Sequence, residues 1–297
     1  MSEDQVVTHP NGAGIVFPQT EIGDDPGAVR AFAETSESLG FEGLMIYDHV
    51  VGADLRNRPN WDGWYDLQHS FHEIFVVMGF IAGFTNRIRL VTGIVIAPQR
   101  QTVLLAKQAA EVDVLSGGRL TLGIGVGWND VEFVALNEDF TNRGKRCEEQ
   151  IEVLRALWTE DSVDFSGKYH HLPGVGIKPL PKQRPIPIYL GGQVDAVLDR
   201  VARLGDGWLP MDSPDVAASR LEKLNYFCER AGRDVREIDI PCMINLAGHD
   251  LEWVYAQVDS WKQLGATSFY LDTMNCGLRG ADAHLEVAAR FMSMLAE

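Results

Sequence analysis

Eight short apolar runs recur along this chain, each followed by a longer stretch with a polar face, and that alternation leaves few folds open. The runs are residues 14–17, 43–46, 88–92, 120–124, 186–190, 207–209, 238–244 and 268–271. Their near-continuous apolar character is what parallel strands require when both faces are covered. The intervening stretches carry helix signals. Asp25-Pro26 is an N-cap followed by proline at the first helical position, and Gly40 closes that helix. Ser70-Phe71-His72-Glu73 reads as a capping box opening the second helix. Ile151, Leu154, Leu157 and Trp158 share one helical face, and Ser213-Pro214-Asp215 opens a sixth helix. Strand and helix alternating eight times predict an α/β fold, a (β/α)8 TIM barrel, with residues 1–297 as one domain. A doubly wound sheet is the competing architecture, because strand count alone does not prove closure.

Two connections exceed ordinary length. Residues 51–69 follow strand two and carry Trp61, Trp64 and Tyr65; residues 162–184 precede strand five and form an insertion between strands 4 and 5. Long connections inside a compact domain are more often lids or insertions than linkers.

Composition narrows the function. The formal charge is −16 and the basic residues form no stripe, which argues against nucleic acid as a partner. Four scattered cysteines without a C-x-x-C pair favour reduced thiols and a cytoplasmic location. Residues 1–14 show no apolar signal core, and no run approaches the roughly 20 residues that span a bilayer, so no membrane partner is expected.

The chemistry concentrates where the runs end. In a barrel, all strand C-termini face one rim, and that rim carries the active site. Tyr47-Asp48-His49 closes the second run, placing a titratable imidazole there with Asp48 beside it. A structural histidine held by a loop carboxylate fits the same tripeptide equally well. Thr92-Gly93-Ile94 ends the third run, where a glycine admits a flat ring close to backbone, although a plain strand-end turn accounts for it too. Gly123-Ile124-Gly125-Val126-Gly127-Trp128 fails the dinucleotide fingerprint: its third glycine comes one residue early, and no acidic residue follows at the required distance. Tyr189-Leu190-Gly191-Gly192-Gln193 runs from strand straight into helix, so free N–H groups converge as a phosphate site needs. Lys178, Lys182 and Arg184, like Arg143, Lys145 and Arg146, read as solvated faces. His170-His171 has no further ligand at metal spacing, so no metal is expected. Aldolase, glycosidase and metal-hydrolase signatures are missing from the strand ends, which leaves cofactor redox chemistry in front.

At this point the chain resembles the bacterial luciferase-like flavin and deazaflavin oxidoreductases, and within them the actinobacterial branch that uses coenzyme F420. The resemblance is carried by Gly40-Phe41-Glu42-Gly43 through Tyr47-Asp48-His49-Val50, by Arg87-Ile88-Arg89-Leu90-Val91-Thr92-Gly93-Ile94, by Leu104-Leu105-Ala106-Lys107 through Leu115-Ser116-Gly117-Gly118-Arg119, by Gly125-Val126-Gly127-Trp128, and by Pro185-Ile186-Pro187-Ile188-Tyr189-Leu190-Gly191-Gly192. It implies a homodimer and a flavin-type ring across the strand ends, with a non-prolyl cis peptide at or next to Gly93-Ile94. It also implies His49 near the reactive face as acid/base, Asp48 near the ring's polar edge, and Gly191, Gly192 and Gln193 at the phosphate. Gly127 and Trp128 are implied to line the tail's path. Gln19, Trp61, Trp64 and Tyr65 are expected at the substrate pocket, although a loop-anchoring mini-core accounts for the three aromatics equally well. The implied reaction is hydride transfer between coenzyme F420 and a small organic substrate. The alternatives are an FMN-dependent monooxygenase supplied by a reductase, and a cofactor-binding barrel without catalysis. Two departures from the family stand out: Gln19 replaces a carboxylate found in some relatives, and Gln99-Arg100-Gln101 replaces an Arg-His-Pro-type phrase.

Overall fold

The computed structural model describes residues 12–296; the polar stretch 1–11 lies outside them. Eight parallel strands appear in chain order: β1 (Gly12–Val16), β2 (Gly43–Ile46), β3 (Arg89–Thr92), β4 (Leu120–Gly125), β5 (Ile188–Gly191), β6 (Gly207–Leu209), β7 (Pro241–Asn245) and β8 (Ser268–Asp272). Each pairs with its sequence neighbour, and β8 pairs with β1. Closure comes just before β7. Gly207 forms a parallel bridge with Asp239, the Trp208 N–H donates to the Asp239 carbonyl, and the Asp239 N–H donates to the Asp206 carbonyl. The sheet is therefore a barrel, and the doubly wound alternative falls away.

The main helices follow the strands: α1 (Pro26–Ser38), α2 (Ile74–Ala82), α3 (Thr102–Ser116), α4 (Arg143–Thr159), α5 (Asp195–Leu204), α6 (Pro214–Ala231), α7 (Leu251–Gln263) and α8 (Gly280–Leu295). Asp25 caps α1 through Gly27 N–H, as its sequence predicts. The capping box expected at Ser70 is not formed: Glu73 is itself the N-cap of α2 and accepts the Val76 N–H at 2.8 Å. None of the described helices is long and apolar enough to cross a membrane. The expected insertion between β4 and β5 contains an antiparallel hairpin, Val163–Ser166 with His171–Val175. His170 ties it down, its Nε2 at 2.6 Å from Thr102 Oγ1 and its Nδ1 at 2.8 Å from Glu149.

Side chains alternate between two cores, as the period of a strand requires. Outward residues such as Ile15, Leu44, Ile46, Leu122, Ile124, Phe269 and Leu271 pack under the helices. Inward residues Val16, Met45, Val91, Leu209 and Tyr270 fill the barrel. Large and small residues complement one another there. Tyr270 fits because β1 and β2 present glycine: a Cβ at Gly14 would stand 2.4 Å from its Cδ1, and one at Gly43 would stand 2.3 Å from its Oη.

The Leu115-Ser116-Gly117-Gly118-Arg119 phrase is structural. Arg119, nearly buried, donates to the carbonyls of Ile88 at 2.6 Å, Thr85 at 2.8 Å and Ser116 at 2.6 Å, and to Thr85 Oγ1 at 3.0 Å. It thereby fastens the α2–β3 turn to the end of α3. Asp113, fully buried, accepts the Lys182 and Gln183 N–H groups and the Gln183 amide, fixing the chain that enters β5.

Gly43→Ala should lower unfolding stability by about 1–3 kcal/mol through overpacking. Adding Tyr270→Phe, which removes the clashing oxygen, should recover part of that loss in urea denaturation. Equal stability of Gly43→Ala and the wild type would contradict the packing described.

Candidate active site

The strand ends at the C-terminal rim divide into two halves. On β3, β4 and β5 the last inward positions are Gly93, Gly125 and Gly191, and the peptide Gly93–Ile94 is cis. The Ile94 side chain lies across the open space: a Cβ at Gly125 would stand 2.3 Å from its Cδ1, and one at Gly191 would stand 3.1 Å from its Cγ2. Ile94 thus forms an apolar platform that only small residues beneath it permit. Thr92 is fully buried beside it and donates its hydroxyl to the Gly123 carbonyl at 2.7 Å.

β2 sets the side chains at the rim. Because Gly43 and Met45 point inward, Tyr47 does too, while Asp48 turns outward. Asp48 is 4% exposed. Its carboxylate meets Arg100 at 2.7 Å and accepts the Ile96 N–H at 3.3 Å. Arg100 in turn reaches Glu73 at 3.3 Å. Burial pushes the Asp48 carboxyl above its ordinary range, and the Arg100 charge pulls against that push. Asp48 therefore anchors the strand end to the chain after β3, at Ile96 and Arg100, rather than facing the rim.

His49 follows as the chain leaves β2. Its Nδ1 lies 3.2 Å from both carboxylate oxygens of Glu132, which is fully buried in the short helix Asp130–Ala135. Glu132 also accepts the Val50 N–H at 2.9 Å and the Gln99 amide at 3.3 Å. Burial pushes the Glu132 carboxyl up, yet the His49 hydrogen bond and charge, with Val50 and Gln99, outweigh it and hold the group below the ordinary carboxylate range. An ionised carboxylate only accepts, so Nδ1 carries the hydrogen and Nε2 is left for other work. The imidazole is enclosed by Phe71, Tyr65 and Trp128, with ring centroids at 4.8, 5.0 and 5.9 Å.

The aromatic loop reaches this cluster from above. An Ala53–Asp66 bridge pinches its base, Trp61 meets Trp128 at 5.9 Å, and Gly63 lets both indoles close in. Tyr65 joins His49, whereas Trp64 is 78% exposed and stands apart. Gln19 is fully buried at the end of β1 and donates its amide to the Tyr47 carbonyl at 2.7 Å.

At β5 the chain turns through Gly191, Gly192 and Gln193 into α5, whose N-terminus has no side-chain cap. The Gly192 carbonyl accepts Trp208 Nε1 at 2.8 Å, and the Gln193 carbonyl accepts Arg220. Gly127 has φ 75°, and its carbonyl accepts Arg143 Nε at 3.3 Å. An uncapped helix start beside glycines and a flat apolar platform are features that a planar ring with a phosphate tail requires.

Glu132 and Gln99 are the members that sequence reasoning missed as site residues. Glu132 lies 83 residues from His49, so no local spacing links them. Its position just past β4, at the active rim of a barrel, is the signal that was available.

With this geometry established, the comparisons with known proteins agree. A family model described as luciferase-like monooxygenase matches residues 6–292, and the chain belongs to that family. It is accordingly an enzyme of the luciferase-like oxidoreductase class. An uncharacterised protein of Mycobacterium tuberculosis is 32% identical over 207 residues, 68% of this chain and 71% of that protein. The FMNH2-dependent dimethylsulfone monooxygenase of Pseudomonas putida is 32% identical over 182 residues, 60% of this chain and 46% of that protein. In fold, the chain resembles the coenzyme F420-dependent tetrahydromethanopterin reductase of Methanopyrus kandleri, with TM-score 0.75 and 18% identity over 97% of this chain and 99% of that one.

The folded-state pKa of Glu132 lies below its unfolded value. Its ionisation therefore stabilises the fold fully above about pH 4.3. That contribution fades as pH falls through the lower folded value. Glu132→Gln should melt below the wild type at pH 7, and the gap should narrow at about pH 3. A gap that is constant with pH would show that the ionisation of Glu132 adds nothing to the fold.

Proposed function

We propose that this enzyme carries out coenzyme F420-dependent hydride transfer to or from a small organic substrate, with His49 as acid/base. The observation that carries the reading is the His49–Glu132 pair, set at the same rim as the Ile94 platform. Hydride transfer to a carbonyl, or from an alcohol, needs one proton moved in step, and a histidine with one nitrogen fixed is suited to that. The likeness in fold to an F420-dependent reductase supports the choice of cofactor.

Thr92, Gly93 and Ile94 would hold the ring, Gly191, Gly192 and Gln193 the phosphate, and Gly127 and Trp128 the tail. When bound, F420 supplies the hydride acceptor or donor; the protein supplies position, exclusion of water and the proton. Glu132 accepts the hydrogen of His49 Nδ1 and keeps Nε2 free to take or give the substrate proton. Asp48, through Arg100, holds the end of β2 in place. Tyr65 and Trp128 cover the imidazole and Trp61 packs on Trp128, while Gln19 completes the substrate side with Trp64 at its exposed edge, and the working form is a homodimer.

An FMN-dependent monooxygenase with a partner reductase is the second reading, supported by the Pseudomonas putida relative.

Fluorescence titrations of the purified chain with F420 and with FMN decide between them. Micromolar F420 binding with weak FMN binding is expected; tight FMN binding alone would overturn the F420 reading. His49→Ala should leave cofactor affinity nearly intact and cut turnover about 100-fold or more. Unchanged turnover would remove His49 from the chemistry.

A further inference from the structure

The other half of the rim enters the reading above only through Gln19. There the last inward positions of β2, β7 and β8 are Tyr47, Asn245 and Asp272, all polar. Asp272 is 4% exposed, and its oxygens are fully engaged. Oδ1 accepts the Met274 N–H at 2.9 Å, while Oδ2 accepts the Asn245 amide at 2.8 Å and the Tyr47 phenol at 3.1 Å. The Asn245 amide oxygen accepts the Ala247 N–H at 2.8 Å. Asp272 therefore works as an anchor. What remains for a ligand is the Tyr47 phenol and the second N–H of Asn245.

Two further observations point to a ligand. Gln19 is fully buried, and its Oε1 has no donor among the described residues, although its Nε2 is fixed on the Tyr47 carbonyl. A buried acceptor without a partner is costly and calls for one. Tyr47 also stands against the platform: a Cβ at Gly93 would lie 3.5 Å from its Cδ1. On the other side Tyr65, which packs on His49, has its phenol pushed up to about 12 by burial and by the charge of Asp272. The polar half-rim and the imidazole thus flank the same tyrosine.

The mixture of groups selects the ligand. Gln19 Oε1 accepts, the Asn245 N–H donates, and the Tyr47 hydroxyl oxygen, its hydrogen committed to Asp272, accepts, which matches an alcohol that must both give and receive. A carboxylate would face the acceptors Gln19 Oε1 and Asp272. Arg100 is engaged by Asp48 and Glu73, and Arg89 by Thr121, so neither is spare to neutralise it. An ammonium has no lone pair for the Asn245 N–H and would set donor against donor there.

We propose that Tyr47, Asn245 and Gln19 form a subsite for a neutral hydroxyl group of the substrate, with Asp272 as the positioning residue that holds Tyr47 and Asn245. The subsite stands on these contacts alone; only its use as the substrate end of a hydride-transfer site rests on the preceding reading.

Saturation-transfer NMR on the full chain without added cofactor tests it, with cyclohexanol, cyclohexylammonium and cyclohexanecarboxylate as probes. Cyclohexanol should bind in preference to both charged probes, and Tyr47→Phe and Asn245→Ala should each weaken it at least fivefold. F420 and FMN titrations of the same variants should match the wild type, and melting should stay cooperative at a somewhat lower midpoint, because each variant removes a hydrogen bond from buried Asp272. Asp272→Asn should weaken cyclohexanol binding, and Asp272→Asn combined with Tyr47→Phe should lose little more than Tyr47→Phe alone, a coupling that a purely structural residue would not produce. Equal cyclohexanol binding by the wild type and Tyr47→Phe, or preference for the carboxylate, would overturn the subsite. Failure to bind either cofactor would instead count against the function proposed above and leave the NMR result standing.

Discussion

Along β2, side chains alternate between the barrel interior and the helical layer, and Tyr270 fixes which set goes inward. It needs the space that Gly14 and Gly43 leave, so Gly43 must point in, and with it Met45 and Tyr47. A slip of one residue would exchange every neighbour on the strand. It would bring Asp48 into the rim, send Tyr47 out to Arg100, and leave Tyr270 against a bulkier neighbour. The packing of a tyrosine at the lower end of the barrel is in this way coupled to the chemistry presented at its upper end.

From that parity the two charged pairs follow. The outward Asp48 finds Arg100, which arrives from the turn after β3, and the next residue swings His49 onto Glu132 from the segment after β4. Gln99 and Arg100 are neighbours in sequence and serve different pairs, Gln99 touching Glu132 and Arg100 touching Asp48. The departure noted in the Gln99-Arg100-Gln101 phrase thus lies in the scaffolding of the rim. Environment then separates the carboxyls: Glu132 is held down by donors, while Asp48 and Asp272 are driven up by burial. One rim in this way holds carboxyls that their surroundings shift in opposite directions.

The barrel was legible because parallel strands buried on both faces leave unbroken apolar runs, and all eight runs became strands. The hairpin Val163–Ser166 with His171–Val175 was hidden, since only Val163 and Leu172 within it are buried and its glycines and prolines look like loop. The second helix was misread at its start because Ser70 has the right residue type but Glu73 makes the bond. At the site, His49 and Glu132 could each be placed at the rim from a strand end, but not paired, because only the closed barrel brings them together. Tyr47 was the first residue of the tripeptide that drew attention, and counting inward positions from Gly43 would have singled it out ahead of Asp48.

Arg119 gives the family phrase another meaning. Every side-chain hydrogen bond it makes ends between the last residue of α2 and the start of β3 or on the end of α3, well away from the histidine and the Ile94 platform. Sequences recognised by Leu-Ser-Gly-Gly-Arg are therefore sorted by how a barrel is fastened together, which leaves them free to diverge in what they oxidise or reduce. A grouping by reaction would have to read the upper inward positions of β2, β7 and β8 instead. Relatives that agree in the first set and differ in the second would share an architecture and little else.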